Sequence, residues 1–135
     1  MREILFRGKR TDNRQWIYGN YCYAELMDKS GYEDLIIEQP ADGETRKIIP
    51  ETVGQYTGLT DKNGNKIFEG DILEFSDRMV TVFWHAYLGC WDSNFLKFTN
   101  KENRREDMSP RHWSYRAKVV GNIHDNPDLL KGGEG

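Results

Sequence analysis

The sequence predicts an all-β fold with minor helical turns, and three observations carry that prediction. Short β-branched and aromatic runs recur along the chain, bounded by Gly, Pro, Asn and Asp. Asn63-Gly64 sits between two such runs and is a strong two-residue hairpin signal, because both central positions of a type I′ turn need φ > 0. Residues 79–92, "MVTVFWHAYLGCWD", alternate Val80, Val82 and Trp84 with Thr81, Phe83 and His85, as a strand buried on at least one face does.

The chain can bury a core, but an aromatic one. Leu, Ile, Val and Phe make up 29 of 135 residues, little more than a disordered chain would carry. Four Trp, seven Tyr and six Phe compensate, since one ring buries roughly 150–250 Å².

The elements follow in order. "REILFRGK" reads as a first strand, "TDNRQ" as the turn after it, and "WIYGNYCYAEL" as the returning strand, with Gly19 a bulge or a close backbone approach. "DKSGYED" is a polar turn before the strand "LIIEQ". "PADGE" is a turn by composition, and "TRKIIP" a short strand stopped by Pro50. Gly54 and Gly58 discourage a helix around Val53, Tyr56 and Leu59. "KIFEGDILEF" alternates loosely, with Ile67, Phe68, Ile72, Leu73 and Phe75 as core candidates and Gly70-Asp71 as a second turn or bulge. Gly89 marks a turn, "NFLKFT" a strand, "NKENRREDMSPR" a long charged loop and "HWSYRAKVVGNI" a closing strand. "DNPDLL" starts a helix, with Asp125 or Asn126 capping it and Pro127 near its first position, and the glycines that follow end it.

"IIPETVGQYTGLTDKNGNKIFEGDIL", residues 48–73, "VVGNIHDNPDLL", residues 119–130, and the opening "REILFRG" resemble the YopX family of phage and prophage proteins. Thr60, Phe68 and His124 depart from the residues most common there. The resemblance implies a small SH3-type β-barrel elaborated by an N-terminal hairpin unit and long loops. On that reading residues 1–135 form one domain: 2–50 are the N-terminal strand unit, 51–130 the barrel core and closing strand, and 131–135 a flexible tail. It implies bacteriophage or prophage origin and carries over no catalytic residue.

The function must therefore be read from the residues. A net charge of −3 gives no global attraction to nucleic acid or anionic membrane. No apolar run is long enough to span a bilayer, and the N-terminus lacks a signal-peptide pattern, so a cytoplasmic location in a bacterial cell is expected. Cys22 and Cys90 form no CxxC pair and read as reduced thiols. Gly64 and Gly70 lie in β-rich sequence without a following Gly-Lys-Ser/Thr, which argues against a phosphate loop.

Enzymatic readings are weak throughout. Glu69 and Asp71 would share one strand face, yet Asp71 after a glycine reads better as a turn acceptor than as half of an acid/base pair. Gly89-Cys90-Trp91 matches a papain-like signature over three residues only, and buried Cys in an apolar strand is usually inert. Two Cys and three His show no paired zinc spacing. The expectation is no enzyme, no metal and no cofactor.

Two binding readings remain. Arg7, Lys9, Arg10 and Arg14, with Arg104, Arg105, Arg111, Arg116 and Lys118 further on, form basic clusters that could hold nucleic acid. Trp84, Tyr87, Trp91, Trp113 and Tyr115 would offer stacking faces. The favoured reading is a protein-interaction or assembly module that binds a protein partner or itself as a homo-oligomer, with no membrane partner. Small barrels act through grooves and strand edges. Arg7, Lys9, Arg10, Trp84, Tyr87 and Trp91 are the candidate contact residues for either reading.

Overall fold

The computed structural model describes residues 3–38, 44–75, 78–98 and 116–130. Contacts divide the chain into two compact units, Met1–Tyr56 and Thr57–Gly135.

In the first unit, β1 (Phe6–Lys9), β2 (Trp16–Glu25), β3 (Tyr32–Glu38) and β4 (Thr45–Lys47) pair antiparallel in the order β4-β3-β2-β1. The start of β5 (Gly54–Thr60) pairs with β1 through Gly54 and Gln55. Ile17, Ile36 and Ile48 form the core, with Tyr21 and Val53 packed against them. Burying each isoleucine contributes about 1.5–3 kcal/mol. The strands close tightly here: a Cβ on Gly8 would stand 3.0 Å from Ile48 Cδ1. The 3₁₀ turn Pro50–Thr52 is tied to β1, because Lys9 N–H donates to Thr52 Oγ1 at 2.9 Å and that hydroxyl donates to Ile49 O.

In the second unit the end of β5 is followed by β6 (Lys66–Phe68), β7 (Asp71–Phe75), β8 (Arg78–His85), β9 (Cys90–Phe98) and β10 (Lys118–Asn122). The last four form an antiparallel sheet in the order β10-β7-β8-β9. Ile67, Leu73, Val80, Val82 and Ala117 make its core, with Leu59, Phe75, Trp91 and Val119 partly buried around them.

The all-β expectation holds, and several details differ. Among the described residues the pairings close no barrel: β9 and β10 are the two ends of the four-stranded sheet. The 61–65 turn is not type I′, because Asn63 does not take positive φ and only Gly64 does, at +85°. Gly64 N–H donates to Asp61 O, and Asp61 N–H to Asn65 O. That is a three-residue loop, a type I turn followed by a glycine bulge. It wins because Asp61 supplies its own acceptor to the loop. Gly19 sits in an unbroken ladder between β1 and β3, so it makes no bulge. The bulges fall instead between Met79 and Val80 and between Val119 and Gly121. β3 begins at Tyr32, inside the expected polar turn. The C-terminal helix is a single 3₁₀ turn, Pro127–Leu130. The charged loop and the tail at 131–135 lie outside the described residues.

Candidate interaction surface at the β8–β9 hairpin

The segments 57–73 and 117–126 hold each other. Asp61, only 4% exposed, accepts from Asn63 N–H at 2.9 Å, Asn65 N–H at 2.8 Å and Val119 N–H at 3.0 Å. Burial alone would push its carboxyl up, but the hydrogen bonds from Val119, Asn65 and Asn63 outweigh that and hold it below the usual range. Lys62 N–H donates to Ala117 O, and Ile123 N–H to Gly70 O. Asp71 is buried and accepts from Phe68 N–H at 2.8 Å, spanning the Gly70 turn, where φ is +90°. Asn122 Oδ1 accepts from His124 and Asp125 N–H, while Asn126 Oδ1 accepts from Asn122 N–H. These carboxylates and amides are occupied by backbone donors. They fasten the fold.

Among the described residues, Arg7, Lys9 and Arg10 do not form an open basic patch. Arg7 and Lys9 are buried, 6% and 9% exposed, and lie over the Trp16 ring at 4.5 and 5.5 Å. Alternation explains it: residues 7 and 9 share the face of Trp16 and Tyr18, their partners in the β1–β2 ladder. Arg10 grips Asp12 through two hydrogen bonds. It lines a cleft of about 220 Å³ with Thr11, Asp12, Thr45, Arg46 and Lys47. Every cation there meets a carboxylate: Arg46 pairs with Glu38 and Glu44, and Lys47 with Glu33. Lys118 of the second cluster pairs with Glu74. Arg104, Arg105, Arg111, Trp113 and Tyr115 lie outside the described residues.

Two of the aromatic candidates come together. Trp84 and Trp91 are direct cross-strand partners and meet edge to face, with centroids 5.1 Å apart. Trp91 packs on the Val80–Val82 core, whereas Trp84, one step further out on that face, is 47% exposed. The turn beyond carries Tyr87, 92% exposed, and Leu88, 61% exposed. Its backbone is held: Gly89 N–H donates to His85 O at 2.8 Å with Gly89 at φ +65°, and Leu88 N–H donates to His85 Nδ1 at 3.1 Å. Leu88 was missed from sequence, although its place two residues before Cys90 in an apolar turn was a usable signal. Cys90 is half-buried and faces His85 across the ladder. Because His85 Nδ1 accepts a backbone proton, that nitrogen is committed to the turn.

Among the described residues there is no group of three or more His, Cys, Asp and Glu that could hold a metal ion, and no helix is long and apolar enough to cross a membrane. The sequence model of the YopX protein family matches residues 5–131. No curated protein matches the chain. Among solved structures, the chain is similar to protein EF1440 from Enterococcus faecalis, with 24% identity and a TM-score of 0.56 over 97% of this chain and 100% of that one. That likeness supports the fold.

Proposed function

The chain belongs to the YopX family, and from that premise we propose that it is a phage- or prophage-encoded, non-enzymatic protein-interaction module acting inside the bacterial cell. On this reading the second unit's sheet is part of a small SH3-type barrel, and the β8–β9 hairpin end is its contact surface. One observation carries the proposal. Trp84 near the end of β8 and Tyr87 and Leu88 in the turn after it are all exposed, and His85 holds the backbone of that turn. Exposed aromatics in a preset geometry are what an interface anchor needs, since little ordering entropy remains to be lost on binding. Asp61 and Asp71, both taken up by backbone donors, support a structural role for the 57–73 segment.

Nucleic-acid binding is the less favoured reading at the first basic cluster, where Arg7 and Lys9 are buried and Arg10 is bridged to Asp12. The test is a photo-crosslinker placed at Tyr87, and as a control at Lys66, in nuclease-treated and untreated bacterial lysate. Position 87 should capture a discrete protein, in both lysates, that Trp84→Ser abolishes. Micromolar oligonucleotide binding at physiological salt, with a log–log salt slope near about −0.7 per phosphate, would overturn the proposal.

A further inference from the structure

The β2–β3 hairpin of the first unit carries a second exposed aromatic surface, chemically unlike the first. Between Trp16 and Glu38 the chain carries five carboxylates, Glu25, Asp28, Glu33, Asp34 and Glu38, and one cation, Lys29; β4 supplies Lys47 to Glu33 and Arg46 to Glu38, which leaves Glu25, Asp28 and Asp34 unmatched by β4. The ladder sets Tyr23 opposite Asp34 and Glu25 opposite Tyr32. Cross-strand partners point to the same face, so these four side chains form a checkerboard of ring and carboxylate. Further along the same face Tyr21 stands opposite Ile36, which is fully buried in the core. The face therefore runs from sealed core at Ile36 to open surface at Tyr23 and Tyr32, 63% and 56% exposed.

The open end is held in shape. Tyr23 and Tyr32 stack with centroids 5.3 Å apart and planes inclined by 17°. Tyr21 OH donates to Asp34 Oδ1, fixing that carboxylate. The turn is closed by Leu26 N–H to Gly31 O at 2.7 Å, and by Asp28 Oδ1, which accepts from both Ser30 N–H and Ser30 Oγ.

We infer that this face docks an arginine-bearing extended polypeptide, a surface separate from the one proposed at β8–β9. A guanidinium is planar, weakly hydrated and always charged, so it stacks on a tyrosine face while its N–H groups reach flanking carboxylates. Asp34 and Glu25 stand at the two flanks of the stacked pair. Lys29 bridges Glu25 at 2.9 Å, but both groups are exposed and such a bridge is weak, so an incoming guanidinium displaces it readily. A phosphate backbone would meet carboxylates instead of cations. A lysine gains the charge but not the planar stack. The two-residue alternation of the face matches side chains projecting from an extended strand, which fixes the partner's conformation.

Fluorescence anisotropy on the full chain tests this, with labelled peptides of alternating Gly-Arg, Gly-Lys and Gly-Glu and a labelled oligothymidine. The Gly-Arg peptide should bind about threefold or more tighter than Gly-Lys, and Gly-Glu and oligothymidine should not bind. Tyr23→Ser should erase the preference for arginine, Tyr23→Phe should keep it, and Tyr32→Ser gives a second variant further out on the hairpin. Asp34→Asn should weaken both cationic peptides. Trp84→Ser should leave all of this intact, so failure of the β8–β9 surface and failure of this one are separable. Equal affinity for arginine and lysine, insensitive to Tyr23→Ser, would reduce the face to general attraction by carboxylates and overturn the inference. So would an absence of Gly-Arg binding at low salt, or oligothymidine binding that Tyr23→Ser removes.

Discussion

Two regions of the second unit treat their chemically interesting side chains in opposite ways. Around Asp61, Asp71, Asn122 and Asn126, polar groups point inward and are taken up by backbone N–H groups. At the end of β8–β9, apolar rings point outward on a turn that needs none of them for its closure. The first region contains the segments on which the resemblance to the family rests, and the family model spans both regions. A buried Asp or Asn that satisfies several backbone donors tolerates almost no replacement, since an orphaned donor costs about 1–3 kcal/mol. An exposed ring tolerates nearly any replacement as far as folding goes. In this chain the segments that resemble the family hold the structure, and the surface proposed for contact lies elsewhere.

The largest effect should come from breaking the fastened region at its most connected point. Asp61→Ala removes an acceptor shared by three backbone N–H groups and the Asn65 amide. It should cost about 2–4 kcal/mol in urea unfolding, with capture from position 87 retained by the folded fraction. The same carboxylate gives a pH signature. Its folded pKa lies below the unfolded one, so its stabilisation is complete above the unfolded value, about 3.9, and is lost as pH falls through the folded value. The acid limb of wild-type stability below about pH 4 should flatten in Asp61→Asn. An unchanged acid limb would mean that Asp61 is not what ties Val119 to the turn.

A smaller effect, and a sharper one, tests whether the fastening is specific in shape. A Cβ at Gly121 would stand 2.4 Å from Asn126 Oδ1 and 2.7 Å from Asn126 Cγ. Gly121→Ala should therefore expel the Asn126 side chain and lose its bond to Asn122 N–H, at about 1–3 kcal/mol. Asn126→Ala makes the room in advance. The double variant should cost clearly less than the two single changes summed, because both remove one shared contact. Additive costs would show that the two residues act separately.

What the sequence made legible follows the same division. Asn63-Gly64, Gly70-Asp71 and the alternation from Val80 to Trp84 disclosed turns and strands, because turn chemistry and period-two burial are local properties. Asp71 as a turn acceptor was readable for the same reason. The burial of Arg7 and Lys9 was not, since they lie on the face opposite Gly8 and the isoleucine core, and Trp16 is brought to them by a ladder between separate strands. The Asp61–Val119 bond joins residues 58 positions apart and leaves no local trace. Trp84, Tyr87 and Trp91 were named individually. That Trp84 is open while Trp91, its partner on the same rung, is packed depends on which of the two rings covers the core, and is visible only once the edge of the core is known.

The smallest expected effect on stability separates the two regions most cleanly. His85 Nδ1 takes the Leu88 N–H, so His85→Ala leaves that amide to water on an exposed turn. Solvent replaces the lost acceptor there, and the cost in unfolding free energy should stay at about 0.5 kcal/mol. The turn keeps its Gly89–His85 backbone bond and its hairpin register. What it loses is the fixed presentation of Tyr87 and Leu88, which must then be ordered at the moment of binding. Each rotamer-rich side chain ordered at an interface costs about 0.5–1.5 kcal/mol. Capture from position 87 should therefore weaken about threefold to tenfold, while hydrogen exchange at the Leu88 amide quickens and the melting temperature hardly moves. A His85→Ala protein that melts several degrees lower would place His85 with the fastened region. One that exchanges the Leu88 amide no faster than wild type would remove the reason for regarding the turn as preset.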